Sequence, residues 1–194
     1  MSASPAPEGL EDRIIAAAYA CFERFGIAKT TMEDIARGAK VSRQTVYRYF
    51  SGKDDILDTI CCREAIKINA VVRKKVDRKR GFASTVAEAL FIIITEGNKN
   101  PILRQVVDVP SFQALAGSPD SRSYQLNNAY WKDMMERAGA NNELAGDLMS
   151  HEVVSWLMMM QPILQFRLAD GALDEERLRR ILARFVVEPL IPRS

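Results

Sequence analysis

Apolar residues recur along this chain at intervals of three and four, and no segment sustains the two-residue alternation of a half-buried strand. Ile14, Ala18, Cys21, Phe22 and Phe25 make one stripe, closed by Gly26 as a left-handed stop. Thr30 and Thr31 each precede an acid by three residues, Glu33 and Asp34, which is close to a capping box. The helix they open shows Met32, Ile35, Ala36 and Ala39 on one face. Ser42 caps a third helix with Val46, Tyr49 and Phe50 inward. Short helices joined by so tight a turn predict a helix-turn-helix. From Lys53 a longer helix is expected to run to about Arg80. Further helices fall near 84–96, 101–107, 120–138, 143–168 and 174–187, with breaks at Asn100-Pro101, from Gly117 to Pro119, from Gly139 to Asn142, and at Asp170-Gly171. The expected fold class is all-α: residues 1–9 an arm, 10–52 a helix-turn-helix unit, 53–194 a larger helical domain.

Composition narrows the function. With 194 residues, 47% of them apolar, the chain can bury a real core. The three cysteines have no metal-ligand spacing and suit a reducing compartment. The opening "MSASPAPEG" lacks the basic-then-apolar order of a signal peptide. The longest apolar run, "ALFIII", is far short of the roughly 20 residues that cross a bilayer. A cytoplasmic location is expected. One histidine, no ligand cluster, no phosphate-cradling loop and no nucleophile elbow argue against an enzyme. No metal and no cofactor are expected. The vicinal Cys61 and Cys62 read as small helix hydrophobes.

Charge is informative only locally. The net charge is +2, yet Arg37 to Lys53 holds five cations and no carboxylate. In "SRQTVYRYF", Val46 and Phe50 must face inward, which leaves Arg43, Gln44, Thr45, Tyr47 and Arg48 exposed or near the amino end. Arg forks onto guanine, Gln onto adenine, and Thr offers a hydroxyl and a methyl. Tyr47 can donate to phosphate, and Lys53 begins a helix whose free N–H groups favour an anion. A carboxylate on this face would meet DNA phosphate.

The stretch "TTMEDIARGAKVSRQTVYRYFSGKDDIL" resembles the DNA-binding signature of the TetR family of transcriptional regulators. Thr31, Ile35, Ala36, Ala39, Val41, Ser42, Thr45, Val46, Tyr47, Tyr49, Phe50, Lys53 and Leu57 carry the likeness, which is close over about residues 10 to 60. By this resemblance Arg43, Gln44, Thr45 and Arg48 meet base edges or flanking phosphates, and Tyr47 and Lys53 meet phosphate. Thr31 caps the helix against the backbone, and Ser42 caps the recognition helix. One position departs. The family's glycine before the Val-Ser pair is Lys40 here, with glycine two residues earlier at Gly38. Either the turn is reshaped, or Lys40 takes a left-handed conformation costing about 1–2 kcal/mol and adds a cation.

The rest of the chain holds most of the apolar mass. "ALFIII" is apolar all round and should be buried centrally. "SWLMMMQPILQF" is similar, and Pro162 should kink or locally break its helix. Segments apolar on both faces need the core on one side and a second subunit or a ligand on the other. The last helix sets Leu178, Ile181, Leu182, Phe185 and Val186 against Arg177, Arg180 and Arg184. Together with the preceding helix it predicts a two-fold homodimer. Candidate ligand-binding residues are Phe91, Ile94, Arg104, Gln125, Trp131, His151, Ser155 and Met159, any one of which is equally at home in core or on surface. The basic run 73–80 reads as a solvated helix end. The expected protein is a repressor that binds a palindromic double-stranded DNA operator as a homodimer. A small apolar or amphipathic effector releases it through a tilt of the long helix. The alternative is a DNA-binding architectural protein without an effector.

Overall fold

The computed structural model describes residues 9–77, 81–106, 109 and 118–192. Regular structure among the described residues is helical throughout: α1 Leu10–Phe25, α2 Met32–Ala39, α3 Arg43–Tyr49, α4 Lys53–Lys75, α5 Phe82–Lys99, α6 Pro101–Val106, α7 Arg122–Ala140, α8 Ser150–Ala169 and α9 Glu175–Ile181. A π-helical turn, Leu182–Val187, and a 3-10 turn, Glu188–Leu190, prolong α9. Residues 1–8 of the expected arm lie outside the described residues.

The stripes of α1 to α3 close on one another. Ile14, Phe22, Ile35, Val46 and Phe50 are almost wholly buried, joined by Ile56, Leu57 and Ile60 of α4 and Ile102 and Val106 of α6. Each side chain of this size stabilises by about 1.5–3 kcal/mol when buried. Gly38 lets α1 approach α2, since a Cβ there would stand 3.2 Å from that of Ala17. Arg13 ties the same pair by donating to the Ala39 carbonyl at 2.8 Å. The expected faces overshoot by one residue at two helix ends. Phe25 is 45% and Tyr49 41% exposed, because α1 and α3 stop there and the chain turns away.

A second cluster joins Leu90, Phe91 and Ile94 of α5 to Trp131 and Met135 of α7, Leu157 of α8, and Leu182 and Val186 near the carboxyl end. "ALFIII" is buried on every side, as expected. The helix expected to reach about Arg80 ends at Lys75, where Val76 turns extended; residues 78–80 of the basic run lie outside the described residues. Residue 107 of the expected 101–107 helix also lies outside them. The helix expected over 143–168 begins only at Ser150. Asn142 takes a left-handed φ of 55°, and the Glu143 N–H closes on the Ala138 carbonyl, so α7 terminates before a turn can restart. Nor is α8 broken at Pro162; it runs through that residue, which has no N–H to give the Met158 carbonyl.

Asn100 joins the two clusters. Its Oδ1 accepts the N–H groups of Ile102 and Leu103 to start α6, and its Nδ2 donates to Tyr19 at 2.8 Å and Glu64 at 3.0 Å. Among the described residues no helix is long and apolar enough to cross a membrane.

Candidate functional site

The turn between α2 and α3 is fixed by its own hydrogen bonds. Thr31 and Asp34 form the capping box: the Asp34 N–H donates to Thr31 Oγ1 at 3.2 Å, and the Thr31 N–H to Asp34 Oδ2 at 3.1 Å. The Thr31 hydroxyl and N–H hold the Asp34 carboxyl below its usual range. Lys40 answers the question left by its missing glycine. It sits at φ 56°, ψ 46°, so this lysine takes the left-handed turn while the Val41 N–H closes onto the Ala36 carbonyl. Ser42 Oγ then accepts the Thr45 N–H at 3.1 Å and starts α3.

That frame presents the outer face of α3. Lys40, Ser42, Arg43, Gln44, Tyr47 and Arg48 are exposed, Thr45 is half-buried, and Val46 is fully inside. Arg43 lies over the Tyr47 ring at 5.3 Å and donates to its hydroxyl at 3.3 Å. Such a face offers donors and cations to a polyanion, with no acid on the helix itself. Lys53 is placed otherwise. Its ammonium donates to the carbonyls of Ile27 at 2.9 Å, Thr30 at 3.3 Å and Ala28 at 3.4 Å, which draws the α1–α2 turn onto α4.

A cavity of about 130 Å³ lies between α4, α5, α6, α7 and α8. Ile68, Ile93, Leu103, Val106 and Met158 supply apolar wall, and Asn69, Asn127, Gln161, Gln165 and Tyr124 polar wall. None of the eight residues expected to hold a ligand lines it. Phe91, Ile94 and Trp131 are core, with the Arg179 guanidinium 3.4 Å above the Phe91 ring. Arg104, Gln125, His151, Ser155 and Met159 are exposed, and Gln125 is spent on the Pro119 carbonyl at 2.9 Å. The difference is one of helical phase. One residue is a turn of about 100°, which separates Ile93 and Met158 in the wall from Ile94 and Met159 outside it. Asn69 and Gln165 had a legible signal, for each keeps step with an apolar stripe: Cys61, Ala65 and Val72 on α4, and Leu157, Leu164 and Leu168 on α8.

Polar bonds connect this cavity to the helix-turn-helix. Asp58 on α4 is 4% exposed and serves as acceptor for the start of α7. Its Oδ1 takes the Ser121 hydroxyl at 2.8 Å and the hydroxyl and N–H of Ser123, while Oδ2 takes the Arg122 N–H at 2.8 Å. Burial alone would raise this carboxyl's pKa; the bonds from Ser123, Ser121 and Arg122 outweigh it, and the net direction is down. Arg122 reaches on to Asp55 at 2.7 Å, and Asp55 accepts the Ser51 N–H at 2.8 Å, just past α3. Ser123 is also cavity wall. A second link runs through α6, where Gln105 accepts the Ile27 N–H at 3.3 Å between the wall residues Leu103 and Val106. Burial pushes the thiol of Cys61, another wall residue, well up and keeps it protonated.

Comparisons with known proteins agree with this layout. The family described as bacterial regulatory proteins, tetR family, matches residues 14–60. The HTH-type transcriptional regulator HbdR of Aromatoleum sp. (strain CIB) is 48% identical over 54 residues, 26% of this chain and 24% of that protein. The uncharacterized HTH-type transcriptional regulator YhgD of Bacillus subtilis (strain 168) is 30% identical over 81 residues, 42% of each chain. The match thus spans less than half the length of these relatives. Over nearly the whole chain, the structure of Thermus thermophilus FadR, a TetR-family transcriptional repressor in complex with lauroyl-CoA, superposes with a TM-score of 0.72 at 18% identity. It covers 95% of this chain and 96% of that one. At that identity the likeness speaks to the fold alone. A capped helix-turn-helix with a basic outer face lies on the same residues, 14–60, that match the tetR family of bacterial regulatory proteins, and the larger helical half shares the fold of one such regulator.

Proposed function

We propose that this protein is a cytoplasmic transcriptional repressor that binds a palindromic operator as a homodimer and is released by a small molecule in the cavity. The observation that carries the reading is the outer face of α3, with Arg43, Gln44, Tyr47 and Arg48 exposed on a helix fixed by Lys40 and Ser42. Arg43 and Gln44 read base edges. Tyr47, Arg48 and Lys40 meet flanking phosphate, while Thr31, Ser42 and Thr45 hold the helix ends against the backbone. The domain division follows: residues 10–52 for DNA, 53–194 for effector and partner.

The homodimer reading is supported by apolar surface on the last two helical segments. Met159 is 53%, Ile163 50% and Phe185 66% exposed. Burying these against a second copy removes a cost that solvent otherwise imposes. Phe185→Glu would place an unpaired carboxylate in that seam and should release monomers.

Release is supported by the two links to the cavity. A guest that shifts Ser123 or α6 disturbs the Asp58–Arg122–Asp55–Ser51 chain or the Gln105–Ile27 bond, and with them the spacing of two recognition helices. FadR of Thermus thermophilus, solved with lauroyl-CoA, gives a precedent for an effector in this fold. Selection of bound DNA from a random pool tests the reading: an inverted repeat is expected, and no enriched sequence would favour an architectural DNA-binding protein.

A further inference from the structure

We infer that the cavity is built for an uncharged, ring-sized molecule that carries a hydrogen-bond donor beside an acceptor, such as a lactam, cyclic imide or aromatic carboxamide. This rests on the effector reading and deepens it. Among the described residues no Lys, Arg, His, Asp or Glu lines the cavity. An ionic ligand would surrender its hydration and meet no counter-charge. The volume of about 130 Å³ matches a guest of roughly benzene's size.

The wall is nonetheless unlike a dry core. Asn69 is 6% exposed, lines the cavity and bonds to no described residue through its side chain, so its carboxamide opens onto the cavity. Gln165, 7% exposed, donates one N–H to the Leu103 carbonyl at 3.2 Å, and its Oε1 accepts from no described residue. An amide that opens onto a cavity is answered there by water or by a ligand. A carboxamide is both donor and acceptor, so its complement is a group that is both as well. Gln161 and Asn127 repeat the same chemistry around the wall.

Benzamide, benzoate and benzamidine share a ring and nearly a shape but differ in charge, and titration calorimetry of each into the full chain without DNA tests the inference. Saturable binding of benzamide is expected, with both ions at least about tenfold weaker. Asn69→Leu keeps the branched shape, adds the bulk of two methyl groups and removes the amide, so the toluene comparison separates lost space from lost hydrogen bonds. It should weaken benzamide about tenfold and improve toluene. Should that variant fail to fold, Gln161→Leu at a half-buried site carries the same comparison. No saturable benzamide binding, an ion binding as tightly as benzamide, or a folded Asn69→Leu with unchanged benzamide affinity would overturn the proposal. Operator affinity is measured separately: benzamide that binds yet leaves operator affinity unchanged sinks the effector reading and spares the ligand class.

Discussion

The helix-turn-helix and the larger half treat polar side chains in opposite ways. Around Ile14, Phe22, Ile35 and Val46 the interior is apolar apart from Thr30, whose hydroxyl donates to backbone carbonyls, and the polar groups of α3 point outward. In the larger half Asp58, Asn69, Ser121, Ser123 and Gln165 are all buried. A surface that meets a charged polymer needs only to display its chemistry. An interior that is to hold a small molecule must bury polar groups, some answered within the chain and some left to face the guest. The first half is therefore robust to its site residues, and the second is not.

The largest test of this contrast is Asp58→Ala. It removes the acceptor for two buried hydroxyls and two N–H groups at the start of α7. Each orphaned group costs about 1–3 kcal/mol, so a loss of at least about 3 kcal/mol is expected in urea unfolding. pH adds a second reading. Asp58 has its pKa lowered in the folded chain, so its contribution is complete above the unfolded value of about 3.9 and disappears as pH falls through the folded one. Wild type should lose stability in that acid window, and Asp58→Asn should lose less there. Arg43→Ala on the other side of the contrast should leave stability within about 0.5 kcal/mol. Its cost appears in base preference, about 1–3 kcal/mol for a bidentate contact, and likewise for Gln44→Ala. Unchanged preferences in both would mean that α3 docks differently.

The same contrast explains what could be read from the sequence. In α2, Met32, Ile35, Ala36 and Ala39 face in and Glu33 and Arg37 face out, so one polarity boundary sets the helix's rotation. The caps Thr31 and Ser42 were legible because a side-chain oxygen three residues before an N–H is a local arrangement. In α8, apolar residues lie on every side, and no boundary tells Met158 from Met159. Rotation there is decided by distant partners such as Leu103, which accepts the Gln165 amide. The reach of Asp58 to Ser123 crosses 65 positions and leaves no local pattern.

A smaller effect separates display from support within the first half. Lys53 lies at the resembled phosphate position, yet its ammonium already has three carbonyl partners. As a strut, Lys53→Ala should weaken operator binding a few-fold at every salt concentration and leave the salt slope unaltered. A slope reduced by about one counterion would instead put this cation on phosphate.

The smallest expected effect concerns Lys40. Its backbone is held at φ 56°, a conformation that costs a non-glycine residue about 1–2 kcal/mol. Glycine would relieve that strain but loses about 0.5–1 kcal/mol more backbone freedom on folding. The difference, between about 0 and 1.5 kcal/mol, predicts that Lys40→Gly stabilises the chain modestly, read as a higher urea midpoint at unchanged slope. A residue that costs stability in an exposed turn must contribute elsewhere, and next to α3 the available contribution is charge. Lys40→Gly should therefore lower the salt dependence of operator binding by about one counterion while the isolated protein becomes more stable. Lys40→Asn, which tolerates the left-handed turn without a cation, should share the loss in slope and part of the gain in stability. A stability gain with an unaltered slope would mean that Lys40 does not meet phosphate. No gain at all would mean that the surrounding bonds, such as Val41 N–H to the Ala36 carbonyl, already offset the strain.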